Sequence, residues 1–218
     1  MINYDSLFPF WEKLTDVEKS IIENAVYVEK YEKGMMMHRT DGSCKGLMTV
    51  LDGQLRTYIL SEEGREVTLF RVNGEEVCVL SASCLMDTIT FDVLIEATEE
   101  TEVLVLPAST LNQVAQQNPY VELFLYKSAT EKFSDVMWTM HQILFLKIDQ
   151  RVAQFLWDEM VQKNSMTFTI THDEIARYIG SAREVVTKVL KYMVKEDALE
   201  LKRGTITVLD KEKLRSYM

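Results

Sequence analysis

Residues 171–193 read THDEIARYIGSAREVVTKVLKYM. Two Ser/Thr-x-x-Glu patterns lie within this stretch, Thr171 to Glu174 and Ser181 to Glu184. Each has the form of a capping box, in which a hydroxyl and a carboxylate together satisfy amide donors left open at a helix start. The spacing therefore predicts two helices, one opening at Thr171 and one at Ser181. Ala176 stands four residues before Gly180. A small side chain lets a second helix cross closely, and glycine accepts the positive φ of the turn between them. Ile175, Ile179, Val186 and Val189 fall where such a pair would bury side chains against each other. That leaves Ala182, Arg183, Glu184, Thr187 and Lys188 facing outward at the start of the second helix.

An outward arginine beside a glutamate suits the reading of DNA. Arginine can donate two hydrogen bonds to the major-groove edge of guanine, and glutamate can accept one from the cytosine amino group. Thr171 and Ser181, at helix starts, are placed to bond phosphates and set the register. Thr187 and Lys188 complete the candidate DNA-binding set. The competing reading is a helical hairpin whose Arg-Glu pair is only solvated surface. It leaves unexplained the sequence on either side. A helix is expected over 149–162 and a short strand over 167–170 (TFTI), and 198–203 (ALELKR), Gly204 and 205–209 (TITVL) suggest a small hairpin. Helices followed by a terminal hairpin are the order of a winged helix-turn-helix.

Upstream, residues 108–147 show helical periodicity, with Asn118-Pro119 separating a short helix from a long one. On the long one Tyr126, Ala129, Phe133, Val136, Met140 and Ile143 recur at alternating steps of three and four, an a/d seam. Leu125, Met137, Trp138, Leu144 and Phe145 form a second apolar surface. Two faces need two partners, so one is expected to pack on the chain's own β domain and the seam on a second subunit. Between about 26 and 106 the pattern is of short apolar runs separated by turn signals. Asp52-Gly53 between 47–51 (LMTVL) and 54–60 (QLRTYIL) is a strong hairpin signal; Glu63-Gly64 and Asn73-Gly74 follow, and 93–97 and 102–106 supply two more runs. Strands at this spacing predict an antiparallel roll or barrel. Residues 15–24 read as a helix capped by Thr15 and Glu18.

The chain of 218 residues has 47% apolar and 27% charged residues, an ordinary globular composition. Its net charge of −10 argues against nucleic acid until its distribution is seen. Residues 148–218 carry a net +1, and residues 1–147 a net −11. An acidic body with a locally basic end suits a reader of a limited DNA site better than a non-specific coater of DNA. The N-terminal MINYDSLFPFWEKL lacks the pattern of a signal peptide, and no apolar run is long enough to span a membrane. Cys44, Cys78 and Cys84 are an odd number at irregular spacing, so the expectation is a cytoplasmic protein with reduced thiols.

At these residues the chain resembles the Crp/Fnr superfamily of bacterial transcription regulators. The resemblance runs through GLMTVLDGQLRTYILSEEGREVTLFRVNGEE (46–76), the long helix, KIDQRVAQFL (147–156) and the helix-turn-helix. It implies an α+β fold in three parts: a cyclic-nucleotide-binding-like β-roll over 1–118, a long dimerisation helix over 119–147, and a winged helix-turn-helix over 148–218. It further implies a homodimer on palindromic double-stranded DNA and an encounter with RNA polymerase. SAREVV matches the superfamily's Ser-x-Arg-Glu pattern, which carries the guanine- and cytosine-reading roles to Arg183 and Glu184. Lys188 stands where arginine is common, and phosphate contact is the expectation there.

Members that bind cyclic nucleotides follow a Gly-Glu pair with Arg-Ser/Thr-Ala, which grips the phosphate. Gly74-Glu75 match the first part, but Phe91 stands in the arginine's place, and no Lys or Arg occurs between Arg71 and Lys127. Burying a phosphate without a cation is costly, so cyclic AMP is not the expected effector. The candidate effector pocket comprises Arg71, Glu75, Cys78, Leu80, Cys84, Met86 and Phe91. Its apolar, sulfur-containing wall favours a neutral or hydrophobic effector, or oxidation of a thiol, over a nucleotide, although buried structural cysteines are the commoner case and thiol sensing the alternative. His38, His141 and His172 are scattered, Met35–Met37 suit a core, and neither metal nor cofactor is expected. A cupin-like enzyme would need clustered His and Glu ligands in the β segment, where only His38 lies. A nucleotide-binding module acting on a partner protein would not need the reading helix. A non-enzymatic DNA-binding regulator is the reading that remains.

Overall fold

A computed structural model describes residues 2–38, 45–85 and 93–218, with the side chains of His38 and Cys84 also outside the description. The chain divides into two compact units: Met1–Ile59 with Leu69–Met137, and Leu60–Thr68 with Trp138–Met218.

The first unit opens with α1 (Tyr4–Leu7), a 3-10 turn at Trp11–Lys13 and α2 (Asp16–Ala25). The Thr15–Glu18 capping box forms as expected: Thr15 N–H donates to the Glu18 carboxylate at 2.7 Å, and Glu18 N–H to Thr15 Oγ1 at 3.3 Å. Eight strands follow among the described residues: β1 (Tyr27–Tyr31), β2 (Met36–His38), β3 (Gly46–Asp52), β4 (Gln54–Leu60), β5 (Glu66–Asn73), β6 (Val77–Cys78), β7 (Leu94–Ala97) and β8 (Thr101–Pro107). They make two four-stranded sheets, β1-β8-β3-β6 and β2-β7-β4-β5. Leu47, Val50, Leu55, Ile95, Val103 and Val105 are among the residues that form the buried core.

This topology corrects one expectation. Asp52-Gly53 does turn the chain, but it does not close a hairpin: β3 pairs with β8 and β6, and β4 with β7 and β5. The turn carries the chain from one sheet to the other and meets the corresponding corner after β7. Gln54 N–H donates to Thr101 Oγ1 at 3.2 Å, and Thr98 N–H to the Gln54 carbonyl at 3.0 Å. Gly53 sits at φ +84, and a Cβ there would lie 2.4 Å from the Glu100 carbonyl oxygen. Glycine is needed both for the left-handed backbone and for the close approach of the two corners.

Within the second sheet Arg56 and Glu96 face each other in register across β4 and β7, and their side chains form an ion pair at 2.8 Å. Arg56 is 1% exposed and also lies over the Tyr58 ring, 4.2 Å from its centroid. A buried cation of this kind is tolerable because a carboxylate and an aromatic face both hold it.

Helices α3 (Ala108–Gln117) and α4 (Pro119–Phe145) follow. Asn118 ends the first and caps the second, its Oδ1 accepting from Tyr120 N–H at 3.1 Å, while Pro119 takes the first helical position, where no amide donor is required. Val121 and Leu125 are buried, and Ala129 and Val136 pack half-buried against the core of the first unit.

The second unit contains α5 (Ile148–Gln162), β9 (Thr167–Thr169), α6 (His172–Ile179), α7 (Arg183–Lys195), β10 (Leu199–Lys202), β11 (Thr205–Val208) and α8 (Lys211–Arg215). The strands form one antiparallel sheet in the order β10-β11-β9, and Gly204, at φ 74, makes the tight turn between β10 and β11. Helix α8 is not among the sequence expectations. Asp210 caps it, its carboxylate accepting from Glu212 and Lys213 N–H, and Leu214 is fully buried in the unit's core. No helix among the described residues is long and apolar enough to cross a membrane.

Candidate nucleic-acid interface

The first of the two predicted capping boxes is present. Thr171 Oγ1 accepts from Glu174 N–H at 3.1 Å, and the Glu174 carboxylate accepts from Thr171 N–H at 2.8 Å. Ile175 and Val186 are wholly buried and Ile179 nearly so; with Val189, Leu190 and Met193 they lock α6 and α7 onto the core of the second unit. Each such side chain is worth about 1.5–3 kcal/mol when fully buried.

The second box does not form, and Ser181 is corrected accordingly. Gly180 takes the left-handed conformation (φ 62, ψ 52), and both Gly180 N–H and Ser181 N–H turn back to the Ala176 carbonyl. Ser181 is thus part of the turn that closes α6. Ala182 becomes the residue preceding α7, and no side chain caps the helix there. Gly180 is further confined within the second unit. Its carbonyl accepts from the Arg65 guanidinium, and a Cβ on it would lie 3.0 Å from Val67 Cγ2.

On α7, Arg183, Glu184, Lys188 and Lys191 are exposed and Thr187 is half-buried. These positions fall on one side of the helix. His172, which sequence reasoning set aside, joins them from α6: its Nδ1 lies 3.0 Å from Thr187 Oγ1. Burial first, and then the charges of Arg183 and Lys191, hold its imidazole below the ordinary histidine range. The signal that could have found it is its place as the first residue of α6, where a helix-turn-helix brings the first helix against the second. The exposed face presents two possible base readers among several cations.

The chain matches the model of the Crp-like helix-turn-helix domain over residues 150–217 and that of the cyclic nucleotide-binding domain over residues 28–118. A solved structure from Eubacterium rectale ATCC 33656, assigned to the crp/fnr family of transcriptional regulators, is 39% identical; the match covers 97% of this chain and 98% of that one, with a TM-score of 0.92. This chain belongs to the Crp/Fnr family. Transcriptional activator protein Anr of Pseudomonas protegens is 25% identical over 82% of this chain and 75% of its own length. The c-di-GMP responsive regulator CLP of Xanthomonas campestris, at 16% identity, shares the fold with a TM-score of 0.76 over 90% of this chain and all of its own. Among Crp/Fnr proteins this chain is therefore a transcription regulator with a DNA-binding helix-turn-helix and a β-roll of the cyclic-nucleotide-binding type.

Of the candidate effector residues of that roll, four are described with their side chains. Cys78 and Leu80 are buried in the core, Arg71 is half-buried on β5, and Glu75 is exposed in the turn after it with φ 67. Met86, Phe91 and the side chain of Cys84 lie outside the described residues. Arg56 is a buried cation outside the segment in which the phosphate-gripping arginine was sought, and it is engaged by Glu96. Among the described residues no cluster of His, Cys, Asp and Glu could hold a metal ion.

Burial, the largest influence, pushes the Cys78 thiol up to about 11. At neutral pH the protonated thiol therefore prevails, whereas the thiolate is the reactive form. Cys78 is wholly buried in the core, the environment of a packing residue. In the native protein, peptide mapping after brief treatment with an alkylating reagent at neutral pH should recover Cys78 unmodified, and full modification should appear only in denaturant. Rapid labelling of native Cys78 would contradict the burial.

The apolar seam drawn along α4 mixes two faces. Ala129 and Val136 face the core of their own chain, as does Leu125, while Tyr126, Phe133 and Met140 are exposed and Ile143 is half-buried. The exposed large apolar residues Leu123, Tyr126, Phe133, Met137, Met140 and Leu144 follow, with Thr130, the same alternating spacing in a different register. Phe133 is 64% exposed and Leu144 66%. A stripe of this extent on one helix has no structural use while it faces water.

Proposed function

We propose that this Crp/Fnr regulator reads a palindromic DNA site as a homodimer, under the control of a small neutral or apolar effector other than cyclic AMP. The observation that carries the reading is the exposed Arg183-Glu184 pair at the start of α7, flanked by Lys188 and Lys191 and seated on a fully buried core face. Arg183 donates to guanine and Glu184 accepts from cytosine. Thr171, Thr187 and Lys188 fix the register through phosphates. The second copy packs along the Leu123–Leu144 stripe of α4, which places two reading helices about a two-fold axis and makes the site a palindrome. Cyclic AMP fits poorly because Phe91 stands where the phosphate-gripping arginine would be, and Arg56, buried in the roll, is already paired with Glu96. The effector instead acts by shifting the α4 pair and hence the spacing of the two reading helices. Bound to its site, the dimer would meet RNA polymerase in the cytoplasm.

Selection by the full-length protein from a random duplex pool tests this. The enriched sequences should share a palindrome with half-site centres about 10–10.5 base pairs apart. Enrichment without two-fold symmetry would overturn the homodimeric reading, and no enrichment would overturn sequence reading altogether.

A further inference from the structure

We propose that His172 is a proton-linked positioning residue of the reading helix: DNA binding places a proton on its imidazole, and Thr187 then turns its own hydroxyl proton toward the DNA. The inference rests on the DNA-reading assignment of α7 and adds a coupling between the two helices of the motif.

His172 is the first residue of α6, and Thr187 lies on the α7 face that also carries Arg183, Glu184, Lys188 and Lys191. The two side chains meet at 3.0 Å, with both groups partly buried. When the imidazole is neutral with its proton on Nε2, Nδ1 can only accept, so the Thr187 hydroxyl donates inward to it. When the imidazole is charged, Nδ1–H donates to Thr187 Oγ1. The hydroxyl hydrogen is then released to an outside acceptor, and Nε2–H is a second donor. One proton from solvent is added to Nδ1, and no other covalent bond changes. The charged form thus presents two donors where the neutral form presents one.

The groups facing His172 from α7 explain why DNA would drive the change. Arg183 and Lys191 repel a proton on the imidazole, and burial opposes the charge more strongly still. On its own helix Asp173 is exposed, while the Glu174 carboxylate is engaged in the Thr171 cap. In the free protein these influences favour the neutral imidazole. DNA phosphates beside Arg183 and Lys191 offset both cations and favour the imidazolium directly. Its proton affinity rises on binding, so DNA binding takes up a proton. By linkage, affinity is greatest at low pH and falls as pH rises through the pKa of the bound form. It levels off below the pKa of the free form, where the proton is already present. Between the two values each subunit contributes up to about tenfold per pH unit.

The test measures affinity of the full-length protein for its selected palindrome between about pH 5.5 and 8, the range in which histidine titrates, for the unmodified chain and for His172→Gln and Thr187→Val. The unmodified protein should bind more tightly as pH falls. His172→Gln, which keeps a polar contact to Thr187 but cannot titrate, should lose most of that slope. Thr187→Val should weaken binding most at low pH, where the released hydroxyl donor would have served. Calorimetry in two buffers of different ionisation enthalpy should show proton uptake by the unmodified protein and about one proton less per subunit for His172→Gln. Only His38, His141 and His172 occur in the chain, so the His172 ring resonance can be assigned by substitution and titrated free and bound. An identical slope in His172→Gln, or a His172 pKa unchanged by DNA, would overturn the inference while leaving DNA reading intact. Failure of the unmodified protein to bind any selected site at every pH would overturn the reading itself and the inference with it.

Discussion

Replacing Arg183 with alanine should weaken binding to the selected palindrome by between roughly 30-fold and more than 10⁴-fold, because about 1–3 kcal/mol is lost at each of two half-sites. The residue is exposed and opens α7 without contributing to the buried face, so the fold should survive the change. The loss should also be specific. Duplexes altered at the one base pair that Arg183 is proposed to read in each half-site should bind the variant as well as the original sequence, whereas the unmodified protein should distinguish them. Lys188→Ala provides the contrast: affinity should fall by a similar factor for all duplexes, and the dependence on salt should become shallower. Equal losses for Arg183→Ala on matched and mismatched duplexes would demote Arg183 to a phosphate contact.

The second large effect is expected on α4. Phe133→Glu should convert the dimer to monomer in sedimentation at micromolar concentration and abolish binding to the palindrome. In the proposed homodimer the substitution would place a carboxylate on each side of the two-fold axis, and an unpaired buried charge costs about 3–5 kcal/mol. In the isolated chain Phe133 is 64% exposed, so the variant should still fold. Val136→Ala separates the two faces of the helix. Val136 packs on its own core, so that variant should unfold at lower temperature yet sediment as a dimer. An unchanged dimer in Phe133→Glu would place the interface elsewhere.

That distinction shows where sequence periodicity stops. Alternating steps of three and four fit two sets of positions on α4, and both contain Tyr126, Phe133 and Met140. Only the packing of Ala129 and Val136 against the roll separates them, and that depends on strands far away in the sequence. Asp52-Gly53 is a similar case. The residues encode a tight turn, but the partners of β3 and β4 are set by β8 and β7, some fifty residues on in the case of β3 and Leu104. The helix-turn-helix was legible because its determinants are local: the Thr171–Glu174 cap, the Ala176–Gly180 spacing and the buried face of Ile175, Ile179 and Val186. Ser181-x-x-Glu184 satisfied the same local rule and misled, because Gly180 in its left-handed conformation commits Ser181 N–H to the Ala176 carbonyl. His172 escaped notice because its partner lies 15 residues away and on the next helix.

The bare start of α7 has a consequence of its own. Helices ordinarily carry their N-terminal cap within the chain, and its loss costs about 1 kcal/mol. Here the residue before the helix is alanine, and no side chain closes the first turn. In the proposed complex the backbone phosphate of the operator would take that place, accepting from amides that the protein leaves open. The reading helix would then be completed by what it reads, so part of the energy of recognition would be spent as energy of folding within a single turn.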